Sequence, residues 1–322
     1  MSIQPADRSS EQRMMASTTQ RLMEKGLAPD APNFLRSNVH YETIMGSHAY
    51  GVADTSVKEK VADYDLYGFA IPPKEMIFKH LAGWIPGFGP EPIGFDQWIR
   101  HHILDHESGG RGKEWDLQIF SIVKFFELCR ENNPNIIDAL FTPEECVVHC
   151  TQVGRLVRDS RNLFLSKLCW KKFRGYAYAQ LKKLQDKQPI GGRLEIIERF
   201  GYDVKFAYHI VRLFDEAEQI LLEGNLDLRR SSEVMKAIRR GEWTEGDLRS
   251  WVVEKDRALE VAYTRCQLPD HPPIEPIYRL LMNCLEQHYG SIQDCVQEVG
   301  WAEKTLKEID SLLQNRRGKL YA

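Results

Sequence analysis

The chain has no uninterrupted run of eighteen apolar residues, no Cys-x-x-Cys pair, no fixed-period repeat and no low-complexity tract. The first absence excludes a membrane-spanning helix read from sequence. Residues 1–18 are polar, without the apolar centre of a signal peptide. Seven cysteines, an odd number spread from Cys129 to Cys295, argue for a reduced intracellular setting, so a cytoplasmic location is expected. A dominant charge of either sign is also lacking: 43 Lys and Arg stand against 46 Asp and Glu, a net charge of −3. No global field therefore attracts a polyanion, and any nucleic-acid contact must rest on local basic patches. A hydrophobic content of 43% over 322 residues suits a globular chain with one large or two moderate domains.

Residues 41–71 carry the chemistry. They predict a strand, a Gly-Ser turn, a short helix, a loop and a second strand bearing Asp63 and Asp65. Alternation along a strand puts both carboxylates on one face, a few ångströms apart. Two such groups do not both stay ionised unless a cation sits between them. Hard divalent ions are held through one or two carboxylates plus substrate phosphates, so the pair points to a metal site that handles a nucleotide. In Met45-Gly46-Ser47-His48, the glycine lets a phosphate approach the backbone, and helix-start N–H groups with the Ser47 hydroxyl can hold its oxygens. Asp-x-Asp alone is a weak signal; the ordered combination, with Gly51 and a strand on each side, carries the reading.

Around this stretch, Met14, Met15, Leu22 and Met23 recur at near-helical spacing in 11–25, a helix expected to pack on the catalytic sheet and to stop at Gly26. Residues 39–45 and 66–71 read as strands, Pro72-Pro73 breaks the chain, and the Gly- and Pro-rich 83–94 reads as a loop. His101, His102, His106 and Glu107 match no zinc template and read as an exposed loop. Arg111 and Lys113 either close over a triphosphate or template strand or are solvated loop charges. A strand beginning near Asp116 would place a third carboxylate beside the first two, where it could take or orient the proton of an attacking hydroxyl; Asp116 also fits a helix N-cap. Cys146 to Cys150, with His149 between them, reads as a strand edge rather than a soft-metal cluster.

The second half is helical, with segments at 153–165, 168–185, 202–222, 231–243, 244–266, 277–289 and 291–313 and a basic tail at 316–319. In 168–185, Lys171, Lys172, Arg174, Lys182 and Lys183 alternate with Trp170, Tyr176 and Tyr178, which suits either a single-stranded nucleic-acid groove or a solvated face over buried rings. In 202–222, capped by Asp203, Lys205, His209 and Arg212 fall on one stripe. They form either a cationic clamp for a leaving pyrophosphate or a basic surface paired with Asp215 and Glu216.

Strand, Gly46-Ser47, helix, then a strand with Asp63-x-Asp65 resembles the DNA polymerase β superfamily of nucleotidyltransferases, with the departure that 48–62 is longer than the usual spacing. The segment from Asp116 through Asn133-Pro134-Asn135 into 136–140 is similar to the predicted nucleotidyltransferase family that includes RNA-ligase-associated proteins, and the likeness covers roughly 40–290. The resemblance implies an α/β (α+β) nucleotidyltransferase fold, with a small mixed sheet and helices in 1–150 and an all-helical domain in 151–322 closing the cleft. It implies Mg²⁺ or Mn²⁺ on Asp63, Asp65 and Asp116, an NTP substrate cradled by Gly46 and Ser47, and Lys205, His209 and Arg212 as nucleotide-binding residues. The association with RNA ligases favours RNA as acceptor; protein AMPylation, a small-molecule alcohol, and a non-catalytic nucleotide-binding or antitoxin-like module are the competing readings.

Overall fold

A computed structural model describes residues 16–53, 62–107, 112–186 and 192–290. The alternation expected of the Asp-x-Asp segment holds over nine residues. Strand β2, Ala62–Ala70, sends Asp63, Asp65, Tyr67 and Phe69 to one face and Tyr64, Leu66, Gly68 and Ala70 to the other. It forms a five-stranded mixed sheet with β1 (Val39–Ile44), β3 (Gln97–Asp105), β4 (Lys113–Ser121) and β5 (Val147–Cys150), in the order β3-β4-β2-β1-β5. Only the central β2/β4 pair is parallel; the other neighbours run antiparallel.

Before β4 the helices are short: α1 (Thr18–Glu24), α2 (Leu35–Asn38), α3 (Gly46–Ala49) and α4 (Lys74–Ile77). Then come α5 (Ile122–Arg130), α6 (Pro134–Phe141), α7 (Gln152–Asp159), α8 (Leu168–Asp186), α9 (Gly192–Phe200), α10 (Val204–Glu223), α11 (Ser232–Arg239), α12 (Glu245–Arg265) and α13 (Ile274–Tyr289). Helix α1 packs with Leu22 and Met23 against Leu66, Trp115, Leu117 and Ile119 on one sheet face. Its first N–H groups, on Thr18 and Thr19, donate to the buried Glu42 carboxylate at 2.5 and 3.0 Å. A carboxylate at a helix start answers both the orphan donors and the dipole. Gly68 makes room for it, since a Cβ there would lie 2.2 Å from the Tyr41 carbonyl and 3.2 Å from Glu42 Cγ.

The other face, with Tyr41, Phe69 and Phe120, shares one continuous core with Phe125, Phe164, Phe173, Phe214 and Leu285, so the C-terminal helices pack directly on the sheet. At their centre lies α10, capped by Asp203, which accepts from the N–H groups of Lys205 and Phe206 at 2.9 and 3.3 Å. Gly224 ends it at φ 61°. Helices α8, α11 and α12 pack around it, and Thr244 opens α12 with a reciprocal capping box to Asp247.

Several expectations need correction. His101 and His102 lie in edge strand β3, not in a loop, because the strand carries a bulge between Arg100 and Ile103 with His102 at φ 58°. Strand β4 starts at Lys113, so Asp116 is mid-strand, and the N-cap of α5 is Ser121, which accepts from the Lys124 N–H at 3.1 Å. Cys146 immediately precedes the short β5 and Cys150 ends it, and both are free thiols. The methionines at 14 and 15, Arg111, the helix at 291–313 and the tail at 316–319 fall outside the described residues. Among those described, no helix is long and apolar enough to cross a membrane.

Candidate active site

Strand β1 delivers the chain into the turn that faces the carboxylates. The Met45 N–H donates to the Asp65 carbonyl at 2.7 Å, and Gly46 follows at φ 64°. A Cβ on Gly46 would sit 2.3 Å from Asp65 Oδ2, so the turn backbone lies directly against that carboxylate and only glycine fits. Among the described residues, Ser47 makes no hydrogen bond through its hydroxyl. On the β4 side, the parallel register sets Asp116 beside Asp65 and Glu114 beside Asp63, which gathers four acidic residues on one sheet face.

Their mutual repulsion adds to the effect of burial on their pKa values. Burial raises the Asp65 pKa, and the charges of Asp63 and Asp116 push it further. Burial likewise raises Asp63, followed by Asp116 and Glu114. Lys205, exposed in the first turn of α10, pulls both back down. This surplus of hard oxygen donors, with the Gly46 cradle beside it, fits a divalent cation on Asp63 and Asp65. Among the described residues, however, no group of three His, Cys, Asp or Glu side chains closes up as a metal cage. Asp116 is occupied from the β3 side: Oδ1 accepts from the His102 backbone N–H at 2.8 Å, and Oδ2 lies 3.2 Å from His101 Nδ1.

The basic stripe of α10 divides by depth. Lys205 faces the carboxylates, while half-buried His209 lies tilted against Tyr208 with ring centres 4.2 Å apart. Arg212 departs from the expectation of a nucleotide ligand. It is 5% exposed, it donates to Asp138 Oδ2, to the Tyr50 hydroxyl at 2.6 Å and to Glu216 Oε1 at 3.4 Å, and it lies 4.4 Å over the Tyr50 ring. Tyr50 ends α3, so Arg212 fastens the active-site turn to α6 and α10 from beneath.

The profile of the RNA repair pathway DNA polymerase beta family matches residues 16–226, which take in the turn, the three aspartates and all of α10. The chain belongs to that family. The family's polymerase-beta-like character makes the protein a nucleotidyltransferase by family. None of the curated proteins matches the chain. Among solved structures, a nucleotidyltransferase-like protein from Exiguobacterium sibiricum aligns over 93% of this chain and 92% of its own at 10% identity, with a TM-score of 0.28, a likeness too distant to carry an argument.

Some site residues of this family member escaped the sequence reading. Glu114 follows the same alternation as the Asp pair, two residues before Asp116, and that spacing was the available signal. His102 Nδ1 lies 2.5 Å from Glu114, whose hydrogen bond and charge, with Asp116, raise the imidazole pKa. Arg229 donates to the carbonyls of His48 and Ala49, each at 3.3 Å, and Arg239 to that of Val52, so two distant arginines tie down the C-terminal side of the turn. No local pattern announces them. Lys113 lies on the opposite sheet face, 5.1 Å over Tyr64 and 5.5 Å over Trp115, and does not face the carboxylates. On α8, Arg174 is committed to Asp256 at 2.8 and 2.7 Å, Lys172 to Glu131 at 3.2 Å, and Trp170 is buried, so that helix carries less open basic surface than its sequence advertises.

Proposed function

We propose that the protein transfers a nucleoside monophosphate from an NTP to an acceptor hydroxyl, releasing pyrophosphate, with an RNA end as the acceptor. The observation that carries this reading is the Asp63, Asp65 and Asp116 face set against the Gly46-Ser47 turn with Lys205 alongside. Asp63 and Asp65 would hold Mg²⁺ or Mn²⁺. Such an ion, when bound, neutralises charge on the phosphates and on the entering oxygen.

The chain's own part is positioning and electrostatics. Gly46 admits the triphosphate to the turn backbone, and Ser47 with the first N–H groups of α3 holds its oxygens. The acceptor oxygen attacks the α-phosphorus in line, and the bond to the bridging oxygen of the β-phosphate breaks. Lys205 stabilises the charge gathering on the pyrophosphate. Asp116, oriented by His101 and the His102 N–H, receives the acceptor's proton. His209 supports Lys205 from the same face of α10, while Arg212 positions the turn through Tyr50.

Incubation with each α-³²P-labelled NTP, Mg²⁺ or Mn²⁺ and a pool of cellular RNA and protein tests this. Label on RNA that disappears in Asp63→Ala/Asp65→Ala is the expected result. Label on protein alone replaces the RNA acceptor with AMPylation-type chemistry. The engagement of both Asp116 oxygens favours one second reading, a nucleotide-binding module without transfer. Bound nucleotide with no label on any acceptor would establish it.

A further inference from the structure

Beyond the carboxylates, the same sheet face continues into a groove that nothing in the reaction above uses. Tyr67 and Gln118 stand two residues past Asp65 and Asp116 on the paired strands, about 7 Å along the sheet. They open onto a cavity of about 230 Å³ walled by α5 and the start of α6. Four amides, Gln97, Gln118, Asn133 and Asn135, rim it; the rings of Tyr67 and Phe120, with Leu128 and Ile136, supply its apolar surface. The only cation in the wall, Lys124, is held by Glu127 at 3.0 Å. A lining rich in amides and poor in charge suits an uncharged planar group with donors and acceptors along its edge, not a phosphate. At about 230 Å³ it is smaller than pockets for drug-sized ligands, roughly 300–1,000 Å³, and has room for one base.

Its polar groups are ready for a ligand. Among the described residues, neither the Asn135 side chain nor the Tyr67 hydroxyl has a hydrogen-bond partner, and Gln118 reaches Gln97 only at 3.5 Å. The Tyr67 phenol offers an O–H donor to the groove. Position selects which base. The Gly46-Ser47 turn leaves β1 on one side of β2, whereas the groove opens toward β4 and β3 on the other. In-line displacement sets the attacking oxygen opposite the leaving pyrophosphate. A group on the groove side of the carboxylates therefore belongs to the acceptor.

Resting on the nucleotidyl-transfer reading, we propose that this groove binds the 3′-terminal base of a single-stranded RNA acceptor and selects it through Gln118, Asn135 and Tyr67. Bases recognised this way stack on a ring and are read on their edges. One base stacked and bonded contributes about 1–3 kcal/mol, some 5- to 150-fold in affinity.

Fluorescence anisotropy with four 5′-fluorescein RNA octamers, identical except for the 3′ base, measures the selection, and a fluorescent ATP analogue measures the nucleotide. The wild-type chain is expected to separate the four octamers. Asn135→Ala and Gln118→Leu, at half-exposed positions outside the carboxylate site, are expected to weaken the tightest at least tenfold and to narrow the spread below twofold. Their ATP-analogue affinity and thermal midpoint should stay unchanged. Weaker ATP-analogue binding with RNA unchanged overturns the proposal and gives the groove to the incoming nucleotide. It is equally overturned by variants that bind both probes as the wild type does, or by a wild type that binds no octamer or all four alike. Failure of the transfer reading shows elsewhere, as ATP-analogue binding and labelling that ignore Asp63→Ala/Asp65→Ala.

Discussion

Replacing Arg212 separates a ligand from a structural cation. One guanidinium faces two carboxylates, Asp138 and Glu216, and all three side chains are at most 5% exposed. Burial alone would lower the Arg212 pKa, but Glu216, Tyr50 and Asp138 more than offset it and its pKa rises. Burial drives Glu216 well above the carboxylate range, and its Oε2 has no hydrogen-bond partner. Burial raises the Asp138 pKa as well, and the Arg212 charge with the Tyr50 and Arg212 hydrogen bonds opposes it, so the guanidinium is what keeps carboxylate charge in this core. Arg212→Met strands the Asp138 charge in the core, and removing one partner of a buried pair costs about 3–5 kcal/mol. Against a total stability of about 5–15 kcal/mol, that lowers the thermal midpoint of a 322-residue chain by roughly 4–7 °C. Asp138→Asn added to Arg212→Met removes the stranded charge and should recover part of the loss. Differential scanning fluorimetry and urea titration read the stability, and calorimetric titration with ATP and Mg²⁺ at 10 °C reads binding by the folded variant. Arg212→Met with a wild-type midpoint and ATP affinity reduced tenfold or more would refute the structural assignment and return the residue to the nucleotide.

Glu216→Gln removes a carboxyl whose pKa is raised on folding. The stability from its protonation is complete below about pH 4.3, the unfolded value, and is lost as pH climbs through the folded one. The variant's midpoint should thus gain on the wild type from pH 5 to pH 8, and a gain that grows toward acid would contradict this. The same sign holds for Asp65→Asn, since burial and Asp63 raise Asp65. Without metal the variant is expected to melt at or slightly above the wild type at pH 7.5, to lose its advantage near pH 4, and to forgo the stabilisation that millimolar Mg²⁺ gives the wild type. Gly46→Ala forces a side chain into a left-handed position, at about 1–2 kcal/mol, and against Asp65 Oδ2. Nucleotide transfer should fall about a hundredfold with only a modest drop in midpoint, measured by label incorporation beside a melt.

What the sequence made legible follows the range of each interaction. The Asp pair, the Gly46 turn, the Asp203 and Thr244 caps and the Gly224 stop are written within a few residues, where alternation and capping chemistry speak directly. Strand β3 was hidden because an edge strand with one face in water carries Arg100, His101 and His102 where a buried strand would carry Val or Ile. The helical spacing of Lys205, His209 and Arg212 shows their alignment but not their depth. Helical spacing fixes which side chains align, but α10 enters the core along its length, so the first stays in water and the last meets Asp138, 74 residues away in the chain. The same limit hid Arg229 and Arg239, whose partners in the turn lie about 180 residues upstream. The turn, β2 and β4 supply the acidic groups and the backbone set against them, while the arginines that hold the turn come from the helical half. Substituting Arg239 in α11, or Arg229 in the segment between α10 and α11, is therefore expected to change transfer without touching a substrate, through the backbone at His48, Ala49 and Val52.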